Sequence, residues 1–178
     1  MRKALALVAV AALVGSIGFA GWKFVSPDVA AVASTPTAGD DLVLVERVTD
    51  KADLLSEAEE AALSKRLAEF EGRTRHQLVV VTVPTLNGQD VADYTRAMAN
   101  RSGIGRKSHH DGIVLLVAPN ERKVRLAVDY GLGQALPNAM AARILQEDVL
   151  PQFRAGDYPA GINAGVTAII TRVAVEGG

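Results

Sequence analysis

The stretch that decides the fold is Asp111-Gly-Ile-Val-Leu-Leu-Val-Ala118, then Pro119-Asn-Glu-Arg122, then Lys123-Val-Arg-Leu-Ala-Val-Asp129. Gly112 to Ala118 is an unbroken apolar run, which reads as a strand buried on both faces. Pro119 to Arg122 is turn chemistry. From Lys123 to Asp129, Val124, Leu126 and Val128 alternate with Lys123, Arg125 and Ala127, the pattern of a half-buried edge strand. The two runs form an antiparallel hairpin. With its turn centred on Asn120 and Glu121, facing residues have numbers summing to 240 or 241. Asp111 then stands beside Asp129 or Tyr130 at the open end.

Upstream of the hairpin the chain alternates helix and strand. Ser56-Glu-Ala-Glu59 is a capping box, and Leu63, Leu67 and Phe70 follow at helical spacing until Gly72. Leu78 to Val83 is a second apolar, β-branched run closed by Pro84. Asp90 to Asn100 carries Val91, Tyr94 or Thr95, and Met98 on one side, which predicts a short helix ending before Ser102-Gly103. Strand, helix and strand at this separation predict a right-handed parallel crossover. A weak first strand is expected at Val43 to Val48.

Downstream, two helices are expected. The first runs from Asn138 to about Leu150. The second runs from Asp157 to Val175, with Ile162, Val166, Ile169, Ile170 and Val173 on one stripe. The whole describes an α/β fold: a three-layer α/β/α sandwich with an about four-stranded mixed sheet, a C-terminal β-hairpin and two C-terminal helices.

Composition bounds what this fold can do. The chain has 178 residues, 49% hydrophobic and 22% charged, which suits one compact domain. A formal charge of -1 and no basic face remove the electrostatic case for a nucleic-acid partner. The absence of cysteine excludes disulfides, thiol nucleophiles and Cys-ligated metals. No Gly-x-Ser-x-Gly elbow is present. Gly103-Ile-Gly105-Arg-Lys-Ser108 lacks the order and the strand-to-helix setting of a phosphate loop.

The N-terminus supplies a location. Arg2 and Lys3 precede an apolar run from Ala4 to Ala20, then Trp22 and Lys23. Residues 1–33 therefore read as an export signal, either cleaved or retained as a membrane anchor, and both place the rest of the chain outside the cytoplasm. Residues 34–41 form a small, polar, Pro-containing linker, and the folded domain spans 42–175. From Ser34 onward there are 16 basic and 19 acidic residues, so the exported part is mildly acidic.

Two acidic features bear on chemistry. Asp111 and Asp129 converge at the hairpin's open end with His109 and His110 adjoining, and like charges so placed want a cation, a proton or an arginine. Such a corner is either a pair of solvated acids or a metal site, and oxygen ligands favour calcium, with magnesium second. Asp50 and Asp53, ahead of the first helix, form the second pair, and one of them can be an ordinary turn former. Phe153-Arg-Ala-Gly156-Asp157-Tyr158 reads as one helix stopping at Gly156 and the next capped by Asp157.

Taken together, Val48-Thr-Asp50, Leu54-Leu-Ser56 before Glu59, Gln77 to Val83, Gly103-Ile-Gly105, Asp111 to Ala118, Arg122-Lys-Val-Arg125, Tyr130-Gly131-Leu132 and Pro151 to Tyr158 resemble the TPM domain, over roughly Val45 to Arg172. The resemblance implies an α/β sandwich facing the periplasm, a thylakoid lumen or the cell exterior, often tethered to a membrane. Acid-phosphatase activity, calcium binding and accessory roles in photosystem II repair or membrane-complex maintenance come with it. Acids frequent in the family are missing where Ala127, Gly133 and Asn138 stand, while Asp129 is gained.

Two functions are in view. The favoured one is an extracytoplasmic accessory module that binds a protein partner and weakly binds calcium. The alternative is a divalent-metal-dependent acid phosphatase acting on phosphomonoesters. In the latter Asp50, Asp111 and Asp129 hold the cation, with Asp50, Asp111 and His110 as the catalytic set and His110 as proton donor.

Overall fold

The computed structural model describes residue 44, residues 46–105 and residues 110–176, with side chains through Ala174. The expected export segment and linker lie outside the described residues. Strands β1 (Val48–Asp50), β2 (Gln77–Thr82), β3 (Gly112–Ala118) and β4 (Lys123–Val128) form one sheet in chain order. The pairs β1–β2 and β2–β3 are parallel and β3–β4 is antiparallel. The mixed four-stranded sheet of the sequence reading is therefore present.

Facing residues of the hairpin, from Ile113 with Val128 to Ala118 with Lys123, sum to 241, so Gly112 faces Asp129 and Asp111 falls opposite Tyr130. The first strand lies later than expected. Its pairing with β2 begins where the Val80 amide donates to the carbonyl of Arg47 at 2.9 Å, and it ends at Asp50.

Side-chain alternation sorts the strands onto two cores. Leu78, Val80, Ile113, Leu115 and Val117 face one way, against α1 (Glu57–Thr74) and α5 (Tyr158–Glu176). Leu63, Leu67 and Phe70 of α1 and Ile162, Val166 and Ile169 of α5 meet them with essentially no exposure. Burial of each such side chain stabilises by about 1.5–3 kcal/mol. Val79, Val81, Val114 and Leu116 face the other way, against Tyr94 and Met98 of α2 (Val91–Ser102).

The helices on opposite faces have a topological consequence. The steps from β1 to β2 and from β2 to β3 cross the sheet in the same direction, yet α1 and α2 lie on opposite faces. Two such crossovers have opposite hands, so the expected right-handed rule holds for only one of them. The loops leaving the carboxyl ends of β1 and β2 consequently diverge, which is the setting of a switch-point crevice.

Local chemistry fixes the helix ends. The Ser56 hydroxyl accepts from the Glu59 amide while the Glu59 carboxylate accepts from the Ser56 amide, the reciprocal box read from the sequence. Asp90 caps α2 by accepting from Ala92 and Asp93, and Gly103 closes it in the left-handed region. The first C-terminal helix runs further than expected. It comprises α3 (Asn138–Ile144), a π turn over Leu145–Val149, and α4 (Leu150–Arg154). Pro151 lacks an N–H and its ring would clash in a regular ladder, and the widened turn just before it absorbs that misfit.

The Ala160 amide donates to Asp157 at the start of α5, as expected. Gly161 lets α5 approach closely: a Cβ there would lie 2.5 Å from the Phe153 ring. Among the described residues no helix is long and apolar enough to cross a membrane.

Candidate functional site

The acids singled out by sequence fall into two places. Asp50 pairs with Thr82 at the carboxyl end of β2, whereas Asp111 precedes Gly112, whose partner Gln77 begins β2. Gln77 and Thr82 are five positions apart and Asp111 lies one position beyond Gly112, so at about 3.3 Å each the two acids stand about 20 Å apart along the strands alone. The set Asp50, Asp111 and Asp129 is thus not one site. The sequence brought Asp50 to the hairpin corner only if the first strand's loop lay at that end of the sheet, and the parallel register puts it at the other.

Asp50 has work of its own at its end. Its Oδ2 accepts from the amides of Leu54 and Leu55 at 2.8 and 2.7 Å, and its Oδ1 accepts from the Thr82 hydroxyl. Thr82 in turn accepts from the Ala52 amide at 3.0 Å. The carboxylate is therefore spent on turning the chain from β1 into α1 and on tying that turn to β2. It occupies the switch-point position where an open α/β sheet would otherwise offer a ligand a place. Asp53 is exposed in the left-handed region, an ordinary turn residue.

Glu60 lies nearby on α1. Its own burial, then Asp50, Glu46, Glu57 and Asp53, push its carboxyl above the usual value. The surroundings are therefore crowded with negative charge.

The opposite end holds the corner. The Asp129 amide donates to the carbonyl of Gly112 at 2.9 Å, continuing the hairpin ladder one step past β4. Its Oδ1 then accepts from the Tyr130 amide at 2.8 Å and caps a 3₁₀ turn over Tyr130–Leu132. Its Oδ2 lies 3.6 Å from Nδ1 of His110, a contact that becomes an ion pair when the imidazole is protonated. His110 occupies the left-handed region, and its ring lies against that of Tyr130 with centroids 3.9 Å apart. Tyr130 is 73% exposed, and among the described residues it is the large hydrophobic side chain most open to solvent. Asp111 is only 3% exposed.

Two residues to which the sequence assigned no role at the corner, Gln77 and Gly105, build it. The Gln77 amide donates to the carbonyl of Asp111 at 3.0 Å, and its side-chain oxygen accepts from the Gly105 amide at 2.9 Å. Gln77 thereby pins the exit of α2 against the start of β3. Gly105 has φ +81, and a Cβ there would lie 2.8 Å from Oδ2 of Asp129 and 3.1 Å from the Gly112 nitrogen. Only glycine fits without displacing the carboxylate.

The geometry limits the chemistry. Among the described residues no three His, Asp or Glu side chains converge so as to hold a metal ion. Calcium takes six to eight oxygens. Asp129, with one oxygen bound to a backbone amide, and the deeply buried Asp111 supply only a few of these among the described residues. What the corner does offer is an exposed aromatic ring, an imidazole and a carboxylate side by side at the open end of the hairpin.

Comparison with known proteins agrees with the architecture. The TPM domain model matches residues 48–172. The chain is similar to the N-terminal domain of a protein from P. gingivalis, at 31% identity and a TM-score of 0.70 over 74% of this chain and 84% of that one. It is also similar in fold to the N-terminal domain of the cg2496 protein from Corynebacterium glutamicum, at 13% identity and a TM-score of 0.56 over 82% and 88%. A third likeness is to the BA42 protein from Bizionia argentinensis, at 17% identity and a TM-score of 0.61 over 69% and 83%. No curated protein matches the chain.

Proposed function

This chain belongs to the TPM domain family, and on that premise we propose that it is an accessory module of the cell envelope that binds an extracytoplasmic protein partner. The observation that carries this reading is the division of the acids. Asp50 is consumed by three donors at one end of the sheet, and Asp111 and Asp129 stand at the other. A metal-dependent acid phosphatase built on all three would need Asp50 at the corner. A binding module needs no such convergence.

Tyr130 gives the corner the character of a contact surface. Aromatic side chains anchor interfaces because they bury much area at little rotamer cost, and Tyr130 is presented on a hairpin end braced by His110 and Asp129. Calcium enters only as a weak ligand of Asp111 and Asp129. Export rests on Arg2, Lys3 and the apolar run after them, which place the domain in the periplasm or an equivalent space, free or anchored at the inner membrane by that segment.

Site-specific photocrosslinking tests the reading. A photoreactive phenylalanine analogue at Tyr130 in the full chain, expressed in its own cells, should give one discrete adduct on the extracytoplasmic side. The same analogue at Ala61, on exposed α1, should give none. Equal labelling from both positions, or none from Tyr130, would overturn it.

A further inference from the structure

A second feature adjoins the corner on the face covered by α2. Alternation along β4 puts Arg125 on the same side as Ala127 and Asp129, beneath α2. Sequence alone reads that side as the polar face of an edge strand. In the folded chain it is one wall of a groove of about 250 Å³ between α2 and β4, whose other wall includes Thr95, Arg96 and Asn100. The floor is apolar, with Val114, Ala127, Ala99 and Ile104 contributing.

Arg125 is the anomaly in this groove. Its Nε is buried and has no hydrogen-bond partner among the described residues. A guanidinium cannot shed its proton, and an unmatched buried donor on a cation is costly. Nothing beside it on the strand relieves this. Ala127 has no side-chain acceptor, and Asp129 is engaged by the Tyr130 amide and faces His110. Thr95 donates its hydroxyl proton to the carbonyl of Val91 at 2.6 Å. Arg96 adds a second guanidinium, exposed and 3.2 Å from Asp93.

The charges lining the groove select the ligand. Arg96 is paired with Asp93 and Asp129 faces His110, which leaves Arg125 as the cation of the described lining with no carboxylate partner. A planar monoanion matches that and can take a guanidinium's paired donors. A dianionic phosphate would exceed it and meet the Asp129 carboxylate. The volume lies below the range of about 300–1,000 Å³ typical of small-molecule pockets, and the apolar floor calls for a small apolar group next to the anion. A polypeptide C-terminus supplies both, and β4 is the sheet's edge strand, along which an extended chain can run.

We propose that the groove between α2 and β4 captures the C-terminal carboxylate of a partner chain ending in a small apolar residue, with Arg125 as its principal ligand. The proposal rests on the partner-binding reading above and gives that partner its chemistry.

The test titrates the full chain, in mild detergent, with N-acetyl-Ala-Ala-Ala-Val bearing a free carboxylate, with its C-terminal amide, and with inorganic phosphate. The free acid should bind at least about tenfold more tightly than the amide, and Arg125→Gln should weaken it by a similar factor, as expected for losing a charge-assisted pair. Arg125→Lys should recover part of the loss. Arg96→Gln should weaken binding about threefold, the smaller effect of an exposed charge, and serves if Arg125→Gln does not fold.

Equal binding of acid and amide, phosphate binding tighter than the peptide acid, or wild-type affinity in both arginine variants would overturn the proposal. An intact Tyr130 adduct together with no binding of the free acid removes the groove and leaves the accessory reading standing. Peptide binding without a Tyr130 adduct does the reverse.

Discussion

The Thr82 hydroxyl donates to the Asp50 carboxylate, joining the ends of two neighbouring parallel strands. Thr82 is fully buried, and the same carboxylate holds the amides of Leu54 and Leu55. An acid that the sequence offers as a catalytic or metal-binding group is therefore a fastener in the fold.

Asp50→Ala should accordingly destabilise the domain. It leaves two amides and a buried hydroxyl without their acceptor, a loss of about 2–4 kcal/mol. Urea unfolding of the variant measures it. A change under about 0.5 kcal/mol would mean that the carboxylate is dispensable to the fold and free for other work.

Glu121, in the hairpin turn, should give the fold an acid-labile contribution. Burial alone would push its carboxyl up, but the Thr85 hydroxyl and the Leu86 amide donate to it and hold it below the ordinary value of 4.5. A depressed carboxyl contributes stability that is full above the unfolded value and is lost as the pH falls from about 4.5 through the folded value. Glu121→Gln should lower the urea midpoint at pH 7, and the difference from the native chain should shrink as the pH falls below about 4.5 and through the folded value. A constant offset at every pH would contradict the assignment.

Gly105→Ala tests how tightly the corner is built. The substitution imposes a left-handed residue and drives a methyl to within 2.8 Å of the Asp129 carboxylate. The conformational term alone costs about 1–2 kcal/mol. Hydrogen exchange at the Gly105 amide, held by Gln77, should accelerate beyond what the global loss explains. Unchanged stability and exchange would show that the corner yields easily.

Calcium should act weakly and only at the corner. A dissociation constant on the order of 10⁻³ M, the weak end for extracellular modules, gives about 0.4 kcal/mol at 1 mM calcium. Thermal melts should show a shift of no more than about 2–3 °C, lost in Asp129→Asn and retained in Asp50→Asn. A larger shift, or one that depends on Asp50, would require the acids to meet.

Much of this was legible in the chain because it is local. The hairpin register follows from one alternating run and one turn, and the capping box at Ser56 and the stripe on α5 need only their own residues. The rest depends on contacts distant in sequence. Asp50 finds Thr82 on the neighbouring strand, and nothing near Asp50 says so. Periodicity gives each helix an inner stripe but not the face of the sheet it covers, so the opposite hands of the two crossovers were invisible. Arg125 alternates like a solvent-facing residue, and only the placement of α2 over β4 makes it the wall of a groove.

The central claim, that this domain binds rather than hydrolyses, is tested most directly by assaying the purified full chain on a generic phosphomonoester. The assay runs at pH 5 and pH 7, with calcium, with magnesium and with a chelator, beside the Asp129→Asn chain. The account predicts turnover at the reagent background in every condition, the same for both chains. Turnover that requires a divalent cation and disappears in Asp129→Asn would contradict it.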